Sequence, residues 1–523
     1  MMLPTYGELY VVSDIHLGGQ RDAKLNFQIF NRGDRLGGLF RYIAKRRVKD
    51  DVALVLNGDI IDSLAEDDVP GYVALDNGTV MRMMDRIYND ESFRPVWQGL
   101  EELIRTAKRH LVFVVGNHDI ELTLPVVEES IRRRLAEGDS DAQSRIHFAT
   151  HGSGFACRVG EARIFCTHGN EVDEWNWVDY NSLGQLANAI NSGRRVDSAK
   201  WKPNAGTRLV VDVMNNVKRR YPFVDVLKPE VAAVASIMLA LDKDAFKQID
   251  FSDAFPVLRD RVRGGLVTNR LLSADAKDFS QVPIEAVAEE VTAQLLGPSF
   301  QEAVQPKQKF THSASEEELL LSVEHAVAKG VNPTTAIGDS SAPETLGVWD
   351  VVSSWVGLVP KVEGLRRALK DWLERDRTFD ATNADDDLYR AMQERVGHEV
   401  DFVVTGHTHK PRALPLNGGR HYYNCGTWIR TLRLTAEVLD DPEAFERIVW
   451  PALNSGRMDD LDNAEIPGPD GSMVSLVMDR TNAVRITAEG TSAKGDLLRV
   501  TDGAAKGTVV VELEPGTTTA KVG

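Results

Sequence analysis

Cysteine is scarce in this 523-residue chain: Cys157, Cys166 and Cys425 are the whole supply, and their spacing matches neither a disulfide framework nor a zinc ribbon. Reduced thiols and a cytoplasmic setting are the expectation. The first ten residues also lack a basic head followed by an apolar core, so no secretory signal is expected. Long apolar runs are missing as well. The most apolar later stretch, 231–241, stops at Asp242 and falls well short of the ~20 residues a spanning helix needs, so it reads as a buried helix. Positive charge is in deficit, with 61 Lys and Arg against 78 Asp and Glu, a formal net charge of -17. A surface of that sign repels a polyanion, which disfavours broad nucleic-acid binding. What remains, 42% hydrophobic and 27% charged, is ordinary for a globular protein too long for one simple core.

What is present is a repeated local pattern, in which short apolar runs stop at Asp, His or Asn. Leu9-Tyr10-Val11-Val12 leads into Ser13-Asp14-Ile15-His16, and Val52 through Leu56 into Asn57-Gly58-Asp59. Leu111 through Val115 leads into Gly116-Asn117-His118-Asp119, and 163–166 into Thr167-His168. Far downstream, 401–404 leads into Thr405-Gly406-His407-Thr408-His409. Runs this short and β-branched read as buried strands. Helical spacing at 34–49 and 80–109 between the first three gives β-α-β alternation, so parallel strands with right-handed crossovers are expected. Their carboxyl ends are where open α/β sheets place active sites. Asp14 and His16, two apart, would project to one side of an extended backbone.

Asp14, His16, Asp59, Asn117, His168, His407 and His409 supply seven donors. With one bridging carboxylate they complete two metal shells with room for water. Carboxylate, imidazole and amide oxygen together point to manganese, iron or zinc rather than magnesium or calcium alone.

SDIHLGG, NGDIID, GNHD, THGN and GHTH stand in the order and form of the calcineurin-like metallophosphoesterase family, which the chain resembles. The resemblance implies a four-layer αββα sandwich with two divalent ions at its sheet edge. It implies Asp14, His16, Asp59 and His409 around one ion and Asp59, Asn117, His168 and His407 around the other, Asp59 bridging. Such an ion pair activates water for attack on a phosphoester. His118, beside a ligand but not itself assigned to a metal, is the candidate catalytic residue, as a proton donor or charge stabiliser, with Asp119 orienting it. Asp62 and Asp173 read as caps or supporting partners.

The division expected is 1–169 and 397–453 for the two parts of the phosphoesterase core, 170–396 for an inserted, mostly helical cap, and 454–523 for a small β appendage. Helical patterning marks 177–190, 207–219, 229–241, 284–296, 316–328 and 362–375, and polar, Pro- or Gly-broken stretches mark 305–315 and 332–344. Within the insertion, Trp175, Trp177 and Tyr180 are candidates for ligand stacking. Arg194-Arg195 and 218–220 are candidates for phosphate contact. Residues 145–149, 155–159 and 163–166 read as a meander, and 515–523 as a disordered tail.

Three functions compete. The first is hydrolysis of a phosphorylated small molecule, a phosphodiester or nucleotide diphosphate, because GHTHKP and YYNCGTW resemble the UDP-diacylglucosamine diphosphatase branch more than repair nucleases. A nuclease and a metal-bearing scaffold with little turnover are the alternatives.

Overall fold

The computed structural model describes residues 3–19, 21, 28–66, 72, 76–173, 176–194, 201–208, 210–211, 215–227, 359–374 and 377–523. The expected helices at 229–241, 284–296 and 316–328, the stretches 305–315 and 332–344, the apolar run 231–241, and Trp175 and Arg195 lie outside them.

Two sheets carry the fold. In the larger, of eight strands, Glu8–Val12, Val52–Asn57, Arg109–Val114 and Ile146–Ala149 run parallel in that spatial order. The smaller, of six strands, pairs Phe155–Val159 antiparallel with Ala162–Cys166, which lies parallel to Phe402–Thr405. Arg420–Asn424 and Arg412–Leu416 complete that side. Alternation along each strand decides which layer a side chain joins. Leu9, Val11, Ala53, Val55, Val112 and Val114 face Cys157, Ile164, Cys166, Phe402 and Val404 in the core between the sheets. Tyr10, Val12, Leu54, Leu56, Leu111 and Phe113 face the helices Gly33–Ala44, Asn77–Asn89 and Arg94–Arg105. The outer face of the smaller sheet, through Val403, Leu414 and Tyr422, is covered by Leu388 and Met392 of the helix Asp387–Arg395. Helix, sheet, sheet, helix is the four-layer α/β sandwich. Each fully buried aliphatic contributes roughly 1.5–3 kcal/mol to holding it.

Several boundaries differ from expectation. The segment 80–109 is two helices and a strand, because Pro95 opens the second helix, where its missing N–H costs nothing. The meander is only a hairpin: Ile146–Ala149 instead joins the larger sheet parallel to Arg109–Val114. The carboxyl-terminal strands are no appendage. Asn482–Glu489 pairs antiparallel with Glu8–Val12, and Ser492–Asp502 and Val509–Leu513 follow it to the sheet edge. The reason is the free edge of Glu8–Val12, whose unpaired backbone groups would otherwise be buried without partners. Residues 515–523 are ordered in part, since Ala520–Val522 pairs with Ser492–Asp502. Two helices within 170–396 also pack on the core: Asp387–Arg395 as above, and Tyr180–Asn191 through Leu183, Leu186, Ala187 and Ile190. All three cysteines are buried free thiols. No helix among the described residues is long and apolar enough to cross a membrane.

Candidate metal centre

Five strand ends converge because their loops hydrogen-bond to one another. Asp14 N–H donates to Gly58 O at 3.1 Å, Ile15 and His16 N–H to Asp59 O at 2.9 and 3.0 Å, and Leu17 N–H to Ile60 O at 2.9 Å. Gly406 N–H donates to His168 O at 2.8 Å, which ties the loop of the smaller sheet to its neighbour 238 residues earlier in the chain. His407 N–H reaches both carboxylate oxygens of Asp14 at 3.1 Å. Trp428 N–H donates to Asp14 O at 3.0 Å, the contribution of the turn after Arg420–Asn424. The backbone is strained to achieve this. Of the seven non-glycine residues with positive φ among the described residues, five are Asp14, His16, Asp59, His407 and His409. Left-handed backbone at such residues costs of order 1–3 kcal/mol each and collects at functional sites. Asp14 and His16 therefore converge through a left-handed loop, not through the extended backbone expected of them.

Glycine makes the closest approaches possible. Gly58 has φ +85°, and a Cβ there would overlap the His168 ring; a Cβ at Gly116 would overlap the Asp59 carboxylate. Gly58→Ala is expected to destabilise the fold by about 2 kcal/mol, from backbone strain and displacement of His168. Urea unfolding of the metal-free protein measures it, and an unchanged midpoint would contradict the packing described.

The side chains form overlapping groups. Asp14, His16 and His409 each offer an atom within 4.8 Å of the other two; so do Asp59, His168 and His407, and so do His16, Asp62 and His118. His168 Nε2 lies 3.1 Å from Asp59 Oδ2, and His409 Nε2 lies 3.3 Å from Asp14 Oδ1. Burial alone would raise the Asp59 carboxyl, but His168 and His118 beside it hold it well below the usual carboxylate range. Burial would conversely lower His168, yet Asp59 and Asp14 push it up to about 10. Asn117 Oδ1, both ring nitrogens of His16 and Nε2 of His168 are buried without a hydrogen-bond partner among the described residues. Each such atom costs ~1–3 kcal/mol if nothing meets it. Asn117 Oδ1, one nitrogen of His16 and Nε2 of neutral His168 can each present an electron pair, so the donor set fits divalent cations.

Asp62 and Asp173, expected as caps or supporting partners, each meet a histidine of the site. Asp62 Oδ1 lies 3.0 Å from His118 Nδ1, and Asp62 Oδ2 lies 3.7 Å from His16 Nδ1. Asp173 Oδ2 lies 2.9 Å from His407 Nε2. Asp119 does not orient His118. Its carboxylate accepts from Ile60 N–H at 2.7 Å and Gly116 N–H at 2.6 Å, bracing one loop against the other, and burial with the nearby Asp59 charge pushes it up to about 7. His118 N–H instead donates to Asp59 Oδ1 at 2.9 Å. Burial would lower the His118 ring, but Asp59 and Asp62 outweigh it and raise the ring to about 9.

Of the further candidates, Trp177 is exposed, whereas Tyr180 packs against the helical core and fills the space at Gly152. Lys218 is buried in an ion pair with Asp225 at 2.6 Å and lies near enough to His118 to oppose its protonation; Arg194 bonds Ser192 and Asn188 at its own helix end.

Residues 8–226 match the family model "Calcineurin-like phosphoesterase". His407 and His409 lie beyond that match, and the pairing of Ala162–Cys166 with Phe402–Thr405 brings them to it. No curated protein matches the chain. Among solved structures, a dimetal phosphatase from Danio rerio (LOC 393393) is 11% identical over 97% of this chain and 98% of that one, with a TM-score of 0.26, too slight a likeness to bear on fold or function. Residues 8–226, which take in four of the five strand ends, are thus similar to the calcineurin-like phosphoesterase family, and the His and Asp groups gathered at those ends could hold metal ions.

Proposed function

We propose that this chain is a metallophosphoesterase that hydrolyses a phosphorylated small molecule, a phosphodiester or nucleotide diphosphate, at a site where seven side chains hold the cation pair. Asp14, His16, Asp59 and His409 surround one cation, and Asp59, Asn117, His168 and His407 the other, with Asp59 shared. Manganese suits this mixed donor set, and iron or zinc would also fit. The observation that carries the assignment is the set of buried orphan atoms on His16, Asn117 and His168, beside Asp59 and Asp14.

Bound there, two cations supply polarisation of the phosphoryl oxygens and a water acidic enough to react near neutral pH. His118 stands outside the seven, partly open to solvent, with Asp62 holding Nδ1. Its ring keeps a proton at neutral pH, so Nε2 can deliver it to the departing oxygen. Asp62 is a positioning residue: it fixes the ring and sustains that proton.

Substrate size follows from charge. A net -17 offers a polyanion little attraction, while a single phosphoryl group needs only the local cations. The GHTHKP and YYNCGTW runs, similar to those of UDP-2,3-diacylglucosamine diphosphatases, favour a nucleotide diphosphate over DNA, in a cytoplasmic setting. The stretch between His168 and His407 sets substrate choice. The test is a panel with manganese-loaded protein: a chromogenic phosphodiester, nucleotide diphosphate sugars, cyclic nucleotides and single-stranded DNA. Turnover of the nucleotide sugars or the small diester supports the reading. Cleavage of DNA alone makes the protein a nuclease, and no turnover with two metals bound makes it a scaffold.

Metal uptake should be proton-linked. His168 is protonated in the metal-free protein up to about pH 10, and its Nε2 must lose that proton to become a ligand. Manganese affinity is therefore expected to rise with pH from 6 to 8, with ~1 proton released per chain at pH 7. Calorimetric titration in buffers of different ionisation enthalpy measures the release, and its absence would remove His168 from the ligand set.

A further inference from the structure

We infer that Asp173 is a positioning residue that selects which nitrogen of His407 faces the metal centre, an inference that rests on the ligand set proposed above. The two histidines beside Asp59 are held by opposite nitrogens. His168 Nδ1 lies 2.9 Å from Asn57 O, and a carbonyl can only accept, so Nδ1 carries the proton and Nε2 is presented to Asp59. His407 is the reverse. Its Nε2 lies 2.9 Å from Asp173 Oδ2, and an ionised carboxylate likewise only accepts, so Nε2 carries the proton and Nδ1 keeps the lone pair.

Asp173 is itself held for this task. Asn176 Nδ2 donates to the same Oδ2 at 2.7 Å, and Asn176 N–H donates to Asp173 O at 3.2 Å. Asp173 N–H donates to Asn170 O at 3.2 Å, and Asn170 Nδ2 returns to Asn176 O at 3.0 Å. Asn170, Asp173 and Asn176 are thus bonded to one another shortly after His168, and the Asp173 carboxylate spans to a histidine 234 residues later. A hydrogen-bonded carboxylate behind a ligand imidazole fixes its tautomer and raises its basicity, and loss of such a partner typically weakens metal affinity about 10- to 100-fold.

The experiment is calorimetric titration with manganese of the wild type, Asp173→Ala, Asp173→Asn, His407→Ala and the Asp173→Ala/His407→Ala double variant, each checked by thermal unfolding without metal. Asp173→Ala is expected to weaken one of the two manganese sites about 10- to 100-fold, to leave the other as it was, and to leave metal-free unfolding unchanged. Asp173→Asn keeps an acceptor oxygen toward Nε2–H and should retain most of the affinity. In the His407→Ala background, removing Asp173 should add nothing, because its effect passes through that ring. Wild-type affinity in Asp173→Ala, an equal loss in Asp173→Asn, or additive losses in the double variant would overturn the inference while leaving the metal centre standing. A wild type that takes up no manganese pair would overturn both, and its own titration shows this before any variant is compared.

Discussion

Asp59→Asn is expected to bind at most one manganese ion per chain and to lose at least ~10³-fold in turnover of a chromogenic phosphodiester. The expectation follows from position. Asp59 is buried, 3.1 Å from His168 Nε2 and 3.9 Å from His16 Nε2, and so lies between the two proposed ligand groups. Asparagine preserves its shape and can still accept from His118 N–H, a bond of 2.9 Å in the native protein. What it removes is the charge that opposes two cations and that raises both His168 and His118. Loss of the negative charge should therefore act on metal content, measured by plasma mass spectrometry after gel filtration, far more than on folding. A variant that retained two ions and full turnover would remove Asp59 from the shared position.

His118→Asn is the second large effect, and its signature is different. Turnover should fall by ~10²–10⁴-fold, the usual scale for losing a general acid, while both metals remain. His118 contacts the centre from outside, through Asp62 at 3.0 Å and edge-on to the His16 ring at a centroid distance of 4.9 Å. As an acid it must be protonated, so activity is lost as pH rises through its pKa. Asp59 and Asp62 set that value high by stabilising the imidazolium, against the effect of burial. Asp62→Asn removes one of the two, so the basic limb of the kcat profile should move to lower pH. A limb that stayed in place would assign it to another group.

The parts of the site that were legible in the sequence are those with a local signature. A buried strand leaves an unbroken apolar run, and a polar side chain offered at its end leaves Asp, His or Asn beside glycine. The five strand ends could be found that way, and Gly58 and Gly116 proved necessary because side chains there would collide with His168 and Asp59. Asp62 and Asp173 were legible as caps or supporting partners, but not which histidine each would meet. Their partners lie 56 and 234 residues away, and nothing in the period of a strand or helix encodes a hydrogen bond over that separation. Asp119 was assigned to His118 because the two are adjacent, but neighbours on a turn point apart, and its oxygens are taken by Ile60 and Gly116. The carboxyl-terminal strands were recognisable as strands. That they complete the sheet beside Glu8–Val12 depends on which edge is free, a property of the folded sheet and not of residues 482–513.

One measurement bears most directly on the account: anomalous diffraction from crystals grown with manganese, collected near its absorption edge. Two peaks that share Asp59 are expected, one against Asp14, His16 and His409 and the other against Asn117, His168 and His407. A single peak, or a peak held by Asp62 and His118 in place of these residues, would contradict that arrangement.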